Sequence, residues 1–107
     1  PSSVAVMGDC AFEQCLNLRS VTFAPGSKLE KIESEVFLHS GIESVRIPKN
    51  VEEIRERAFK YCERLKQVVF EKGSKLRVIG EDAFDKCTKL AKIDLPGGLK
   101  SIESGAF

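Results

Sequence analysis

The apolar residues of this chain return on a single frame. Phenylalanine marks it at Phe12, Phe37, Phe59, Phe84 and Phe107, with intervals of 25, 22, 25 and 23 residues. Alanine precedes four of these five (Ala11, Ala58, Ala83, Ala106), and Val36 precedes the other. Five positions before each phenylalanine stands Met7, Ile32, Ile54, Ile79 or Ile102, and three before that Val4, Leu29, Val51, Leu76 or Leu99. Three positions after it comes a small residue, Cys15, Ser40, Cys62 or Cys87, followed by Leu18, Ile42, Leu65 or Leu90. Then come Val21, Val45, Val68 or Ile93 and, two residues on, Phe23, Ile47, Phe70 or Leu95, so that all seven phenylalanines fall into two columns. A period of this size is the mark of a repeat architecture.

The pattern within the period predicts the local structure. SVTF, SVRI, QVVF and KIDL alternate apolar with polar and are rich in β-branched residues, so each is expected to be a short strand with one face inward. Pro48 and Pro96 end their strands because proline cannot donate to a ladder. Segments such as IRERAF and IGEDAF carry acidic residues early and Ala-Phe late, which predicts one helical or 3-10 turn. The connections APGSK and EKGSK are longer than PKN and PGG, and SGI is one residue shorter than its counterparts, so length varies in turns while the apolar frame is kept. One strand and one turn cannot bury their own apolar face, but stacked copies can. The predicted fold is therefore an α/β solenoid, a right-handed superhelix of about 4.5 repeats of about 22–25 residues. Parallel strands line its concave face and short helical or 3-10 turns its convex face.

Composition narrows the function. The 17 basic residues nearly cancel the 16 acidic ones, leaving a net charge of +1 that predicts no nucleic-acid partner. No segment reaches the roughly 20 apolar residues of a membrane-spanning helix, so no direct membrane insertion is expected here. The amino terminus PSSVAVMGDC has no signal-peptide character, and Asn17 and Asn50 are not in glycosylation sequons.

The frame L-x-x-V-x-F/I-P-x-x-L-x-x-I-x-x-x-A-F-x-x-C resembles the leucine-rich repeats of the BspA-like class, and the resemblance runs through the whole chain. It implies a curved scaffold for protein recognition, a type common in large cell-surface adhesins of bacteria and protist parasites. The departures are Ser40 for cysteine, Val36 for alanine, and Glu33, Arg55 and Glu103 where Gly8 and Gly80 keep a frequent glycine. The chain starts within a repeat and stops at Phe107 without an atypical polar cap, so residues 1–107 read as a single array, a fragment of a longer solenoid whose uncovered ends offer surfaces for self-association.

Candidate chemistry gives way to packing. Cys15, Cys62 and Cys87 are spaced by the repeat and are expected to be buried free thiols, each a weak donor to a loop carbonyl. Cys10 lies in the column of Glu35, Arg57, Asp82 and Gly105 and is expected to be exposed; it has no companion ligands, so no metal is predicted. His39 shares a column with Gln14, Tyr61 and Lys86, a solvated edge rather than a catalytic neighbourhood. Glu33, Glu35, Glu56, Glu81, Asp82 and Glu103 recur at turn starts, a structural role. No catalytic residue, cofactor or enzymatic activity is predicted.

The outward strand positions remain as the partner-binding face. They form the columns Ser20, Ser44, Gln67, Lys92 and Thr22, Arg46, Val69, Asp94, flanked by Arg19, Glu43, Lys66 and Ala91. Arginine is the interface-favoured residue type among them. The function expected is non-catalytic recognition of a protein partner at the cell surface or outside the cell; the alternative is an intracellular, cytoplasmic scaffold or spacer, which unpaired cysteines and the lack of sequons favour.

Overall fold

The computed structural model describes residues 3–4, 20–23, 28–91 and 93–107. Among these the chain forms eight short strands, β1 (Ser3–Val4), β2 (Ser20–Phe23), β3 (Lys31–Ile32), β4 (Ser44–Ile47), β5 (Glu53–Ile54), β6 (Gln67–Phe70), β7 (Val78–Ile79) and β8 (Ser101–Ile102). They pair into two parallel sheets, β1-β2-β4-β6 and β3-β5-β7-β8. Strands that pair with their counterparts in the next coil, never within their own coil, are the signature of a solenoid.

The predicted columns hold in the central coils, while Ile102 and Phe107 at the end are exposed and Met7, Phe12 and Leu18 lie outside the described residues. Val45 and Ile47 point into the core from β4 while Ser44 and Arg46 face out. Behind the sheet, Ile32, Ile54, Ile79, Leu65, Leu76 and Val51 are all fully buried. Phe37, Phe59 and Phe84 stack ring on ring at 5.1 Å, and Phe107 extends the stack at 5.4 Å from Phe84. Column Gly80 is needed where it stands: a Cβ there would lie 2.7 Å from the Glu56 backbone nitrogen.

The first sheet differs from expectation at both margins. Ser3 and Val4 pair with Thr22 and Phe23, so the backbone at Val4 lies in the strand line and not in the Leu29 column. At the other margin, the predicted strand KIDL does not form: Ile93, Asp94 and Leu95 lie outside any strand, and Lys92 falls outside the described residues. Proline explains part of this. Glu71, directly after β6, donates its N–H to Ile47 at 3.0 Å, and Pro96 holds the same place after KIDL with no N–H to give. Asp94, a poor strand former, adds to the effect.

The second sheet is a line of two-residue strands in register, Ile32 beside Ile54 beside Ile79 beside Ile102. No part of the hydrophobic pattern predicted it, because two residues are too few to show a period.

The expected helical or 3-10 turns on the convex face are absent among the described residues and are replaced by a ladder of β-turns. In residues 33–40 the N–H groups of Val36, Leu38 and Ser40 bond three residues back, to Glu33, Glu35 and Phe37. The alternate N–H groups, of Glu35, Phe37 and His39, cross instead to the carbonyls of Glu56, Ala58 and Lys60 in the next coil at 2.9–3.2 Å. Arg57, Phe59 and Tyr61 then donate to Glu81, Ala83 and Asp85 at 2.8–2.9 Å. A 3-10 helix would spend every N–H on its own turn. Here positive φ angles of 56–64° at Glu35, His39, Arg57, Tyr61, Asp82 and Lys86 turn alternate peptide units toward the neighbouring coil.

Left-handed backbone costs a non-glycine residue roughly 1–2 kcal/mol, against about 0.5–1 kcal/mol of extra chain entropy lost by glycine. Lys86 is exposed, has φ 64° and makes no ion pair among the described residues. Lys86→Gly is therefore expected to stabilise the fold by about 0.5–1 kcal/mol in a denaturant titration. A loss of stability would show that the left-handed turn is not strained.

Candidate functional site

The site begins with strand alternation. Inward Val45, Ile47 and Val68 anchor β4 and β6, which forces Ser44, Arg46, Gln67 and Val69 outward onto one surface. Register makes this surface continuous: Ser20 pairs with Ser44, Ser44 with Gln67, and Arg46 with Val69. The Lys66 N–H donates to the Glu43 carbonyl at 2.8 Å, which sets those two side by side at the edge of the sheet. Glu43, Ser44, Arg46, Lys66, Gln67, Val69 and Asp94 are all exposed. Thr22 and Ser20 are placed by backbone pairing, and Arg19 and Lys92 lie outside the described residues.

Beside β6, where Ile93, Asp94 and Leu95 form no strand, lies a groove of about 600 Å³. It brings together Lys66, Gln67, Val69, Ala91 and Asp94 of the predicted face, and adds Val68 and Phe70 from the inward columns. Phe70 belongs to an inward column, and Ile47 in that column is fully buried, yet Phe70 is only partly buried here. Repeat spacing alone could not reveal this, since it assigns Phe70 and Ile47 the same environment.

Chemistry elsewhere is structural. The Cys62 thiol donates to the Phe37 carbonyl at 3.0 Å and the Cys87 thiol to the Phe59 carbonyl at 3.2 Å, as expected of column thiols; Cys10 and Cys15 fall outside the described residues. Both thiols are free. Burial pushes Cys62 up to about 12, overriding hydrogen bonds from Ser40 that favour the thiolate. Burial, with the nearby Cys62, likewise pushes Cys87 up to about 12. Neither is a nucleophile at neutral pH.

His39 is not simply solvated: its ring stacks on Tyr61 at 4.5 Å, with the planes 7° apart. The turn-start carboxylates tie coils together, Glu35 to Arg57 at 2.7 Å, Asp82 to Lys60 at 3.3 Å and Glu33 to Arg55 at 3.8 Å. No group of three or more metal-binding side chains exists among the described residues. Nor does any helix among them have the length and apolarity to cross a membrane.

Comparison with known proteins fits the coil geometry. The family "BspA type Leucine rich repeat region (6 copies)" matches residues 1–107. The crystal structure of the pneumococcal vaccine antigen PcpA is similar, with a TM-score of 0.73 and 34% identity over 81% of this chain. The match spans 22% of that antigen's chain. No curated protein sequence matches.

Proposed function

The chain belongs to the BspA-type leucine-rich repeat family, and from that membership we propose that it is a non-catalytic protein-recognition module of a cell-surface protein. Its binding face is the outward surface of β4 and β6. The observation that carries this reading is the groove beside β6, where Val69 and Phe70 offer apolar contact next to Lys66, Gln67 and Asp94. Arg46, on the next strand, is exposed and makes no ion pair among the described residues, so its guanidinium is open to a partner. The likeness to a vaccine antigen supports surface exposure of the parent protein.

A membrane-impermeant amine label applied to intact cells is expected to mark the full-length protein. Failure to label would favour the second reading, an intracellular scaffold, to which the free thiols of Cys62 and Cys87 lend support. Against a panel of immobilised extracellular proteins, the double substitution Arg46→Glu with Lys66→Glu is expected to weaken capture at least about tenfold, since reversing a rim cation opposes the partner's charge. Both side chains are exposed, so the melting temperature should not move. Undiminished capture by the variant would move the site off this face.

A further inference from the structure

A net charge of +1 describes the chain as a whole, but the fold sorts its charges by flank. On the convex flank Arg57 meets Glu35 and Lys60 meets Asp82 and Asp85 across coils, while Lys86 and Lys89, in the turns after β7, make no ion pair among the described residues and lie on one coil. The opposite flank, made by the turns after β4 and β6 and by the segment leading into β8, is built differently. Lys49, Lys72, Lys75 and Lys100 are all exposed there, and none makes an ion pair among the described residues. Their backbones are close: the Lys75 N–H donates to the Lys49 carbonyl at 2.8 Å, which sets them on neighbouring coils about 4.8 Å apart. Lys100 is joined to the chain beside them through its N–H to the Arg77 carbonyl, also at 2.8 Å. Lys72 stands at the tip of the Glu71–Ser74 turn, beside Gly73 with its φ of 83°.

Of the carboxylates beside them, Glu52, Glu53 and Glu71 are engaged, while Glu30, whose carbonyl accepts the Glu52 N–H at 2.7 Å, is exposed on the coil before. Arg77 takes both Glu52, at 3.3 Å, and Glu53, at 3.1 Å. Glu71 turns its Oε1 onto the Lys49 backbone N–H at 3.1 Å. Like charges facing each other across paired strands are destabilising, and a fold shaped by packing alone places opposite charges there, as this one does at Arg57 and Glu35. Free lysines gathered on adjacent coils are what a polyanion offsets.

We infer that this flank binds an anionic polysaccharide through Lys49, Lys72, Lys75 and Lys100. The side chains decide among polyanions. Single-stranded nucleic acid is held by bases stacking on aromatic rings, and none of the residues named on this flank is aromatic. Phosphate is recognised best by the bidentate fork of arginine, and here Arg77 is committed to Glu52 and Glu53. Lysine ammoniums on flexible stems are hydrated point charges that fit the irregular spacing of sulfate and carboxylate groups along a sugar chain. Such binding is carried by counterion release, so it weakens steeply with salt.

The test uses fluorescently labelled heparin, single-stranded DNA of similar charge, and phosphatidylserine vesicles with the whole chain. Heparin is expected to bind, with affinity falling roughly ten- to hundredfold between about 50 and about 200 mM salt for about four neutralised charges. Converting Lys49, Lys72, Lys75 and Lys100 to glutamate is expected to abolish heparin binding, the milder pair K49Q/K75Q to weaken it by roughly three- to tenfold, and the convex-flank pair K86E/K89E to leave it unchanged. An unaltered circular dichroism spectrum confirms that these variants are folded. Equal loss in K86E/K89E would overturn the assignment to this flank. DNA or vesicles binding as tightly as heparin would overturn the ligand class.

Discussion

Phe59→Ala is expected to destabilise the solenoid by about 3–5 kcal/mol, the range for emptying a buried aromatic site. Its ring is fully buried and lies between Phe37 and Phe84, 5.1 Å from each, at interplanar angles of 17° and 2°. Alanine leaves the backbone untouched, so the N–H of residue 59 still donates to Ala83, and its carbonyl still accepts the Cys87 thiol. What is lost is the packing of one coil against both neighbours. Repeat arrays hold together through nearest-neighbour interfaces, so a void in this coil loosens two interfaces at once. In a domain whose total stability is about 5–15 kcal/mol, that is a large share. The melting temperature should fall by at least about 12 °C, taking about 4 °C per kcal/mol as the lower bound for a domain of this size. Phe107→Ala is the control, because that ring is 53% exposed and, among the described residues, stacks on Phe84 alone. If both variants lost the same few degrees, the phenylalanine stack would not be the spine of the fold.

How legible each feature was in the sequence depended on whether its cause was periodic. The inward columns could be read because burial repeats: Ile32, Ile54 and Ile79, or Phe37, Phe59 and Phe84, are fixed by the same contact made again in each coil. The cysteine column could be read for the same reason, and Cys62 and Cys87 do reach back to carbonyls of the preceding coil. The turn ladder could not. Glu35, Arg57 and Tyr61 adopt the left-handed backbone that glycine or asparagine usually announces, and acidic residues before Ala-Phe suit a helical turn equally well. Of the candidate site, the outward residues of β4 and β6 followed from alternation, but the groove did not. It lies where KIDL fails to pair, and KIDL alternates as its sister segments do. Charge sorting was hidden for another reason: the cancellation of 17 cations by 16 anions is a property of the whole chain, whereas partnering is a property of flanks.

Alkaline pH is expected to unfold the wild-type chain earlier than the Cys62→Ser variant. Burial holds the Cys62 thiol up at about 12, against 9.0 for an unburied thiol. The native state thus keeps a proton that the unfolded state releases from pH 9 upward. The stability this contributes is fully present below about pH 9 and is lost progressively as pH rises through about 12, because above the lower value the unfolded chain gains the thiolate form. At about 1.4 kcal/mol per pH unit per group, Cys62 accounts for a loss of roughly 2–3 kcal/mol between about pH 8 and about pH 11. Cys87, less deeply buried but shifted in the same direction, adds to the slope in both proteins. Serine is a fair replacement because this column already accepts one: Ser40 is buried there, its Oγ accepting the Ile42 N–H at 3.1 Å. Near neutral pH the variant should therefore lie within about 1 kcal/mol of wild type, the net value of an ordinary hydrogen bond. Denaturant midpoints measured across this pH range isolate the thiol, because the two proteins differ at residue 62 alone. The wild-type curve should steepen above about pH 9 relative to that of the variant; two parallel curves would mean that Cys62 ionises in the native state as freely as in the unfolded one.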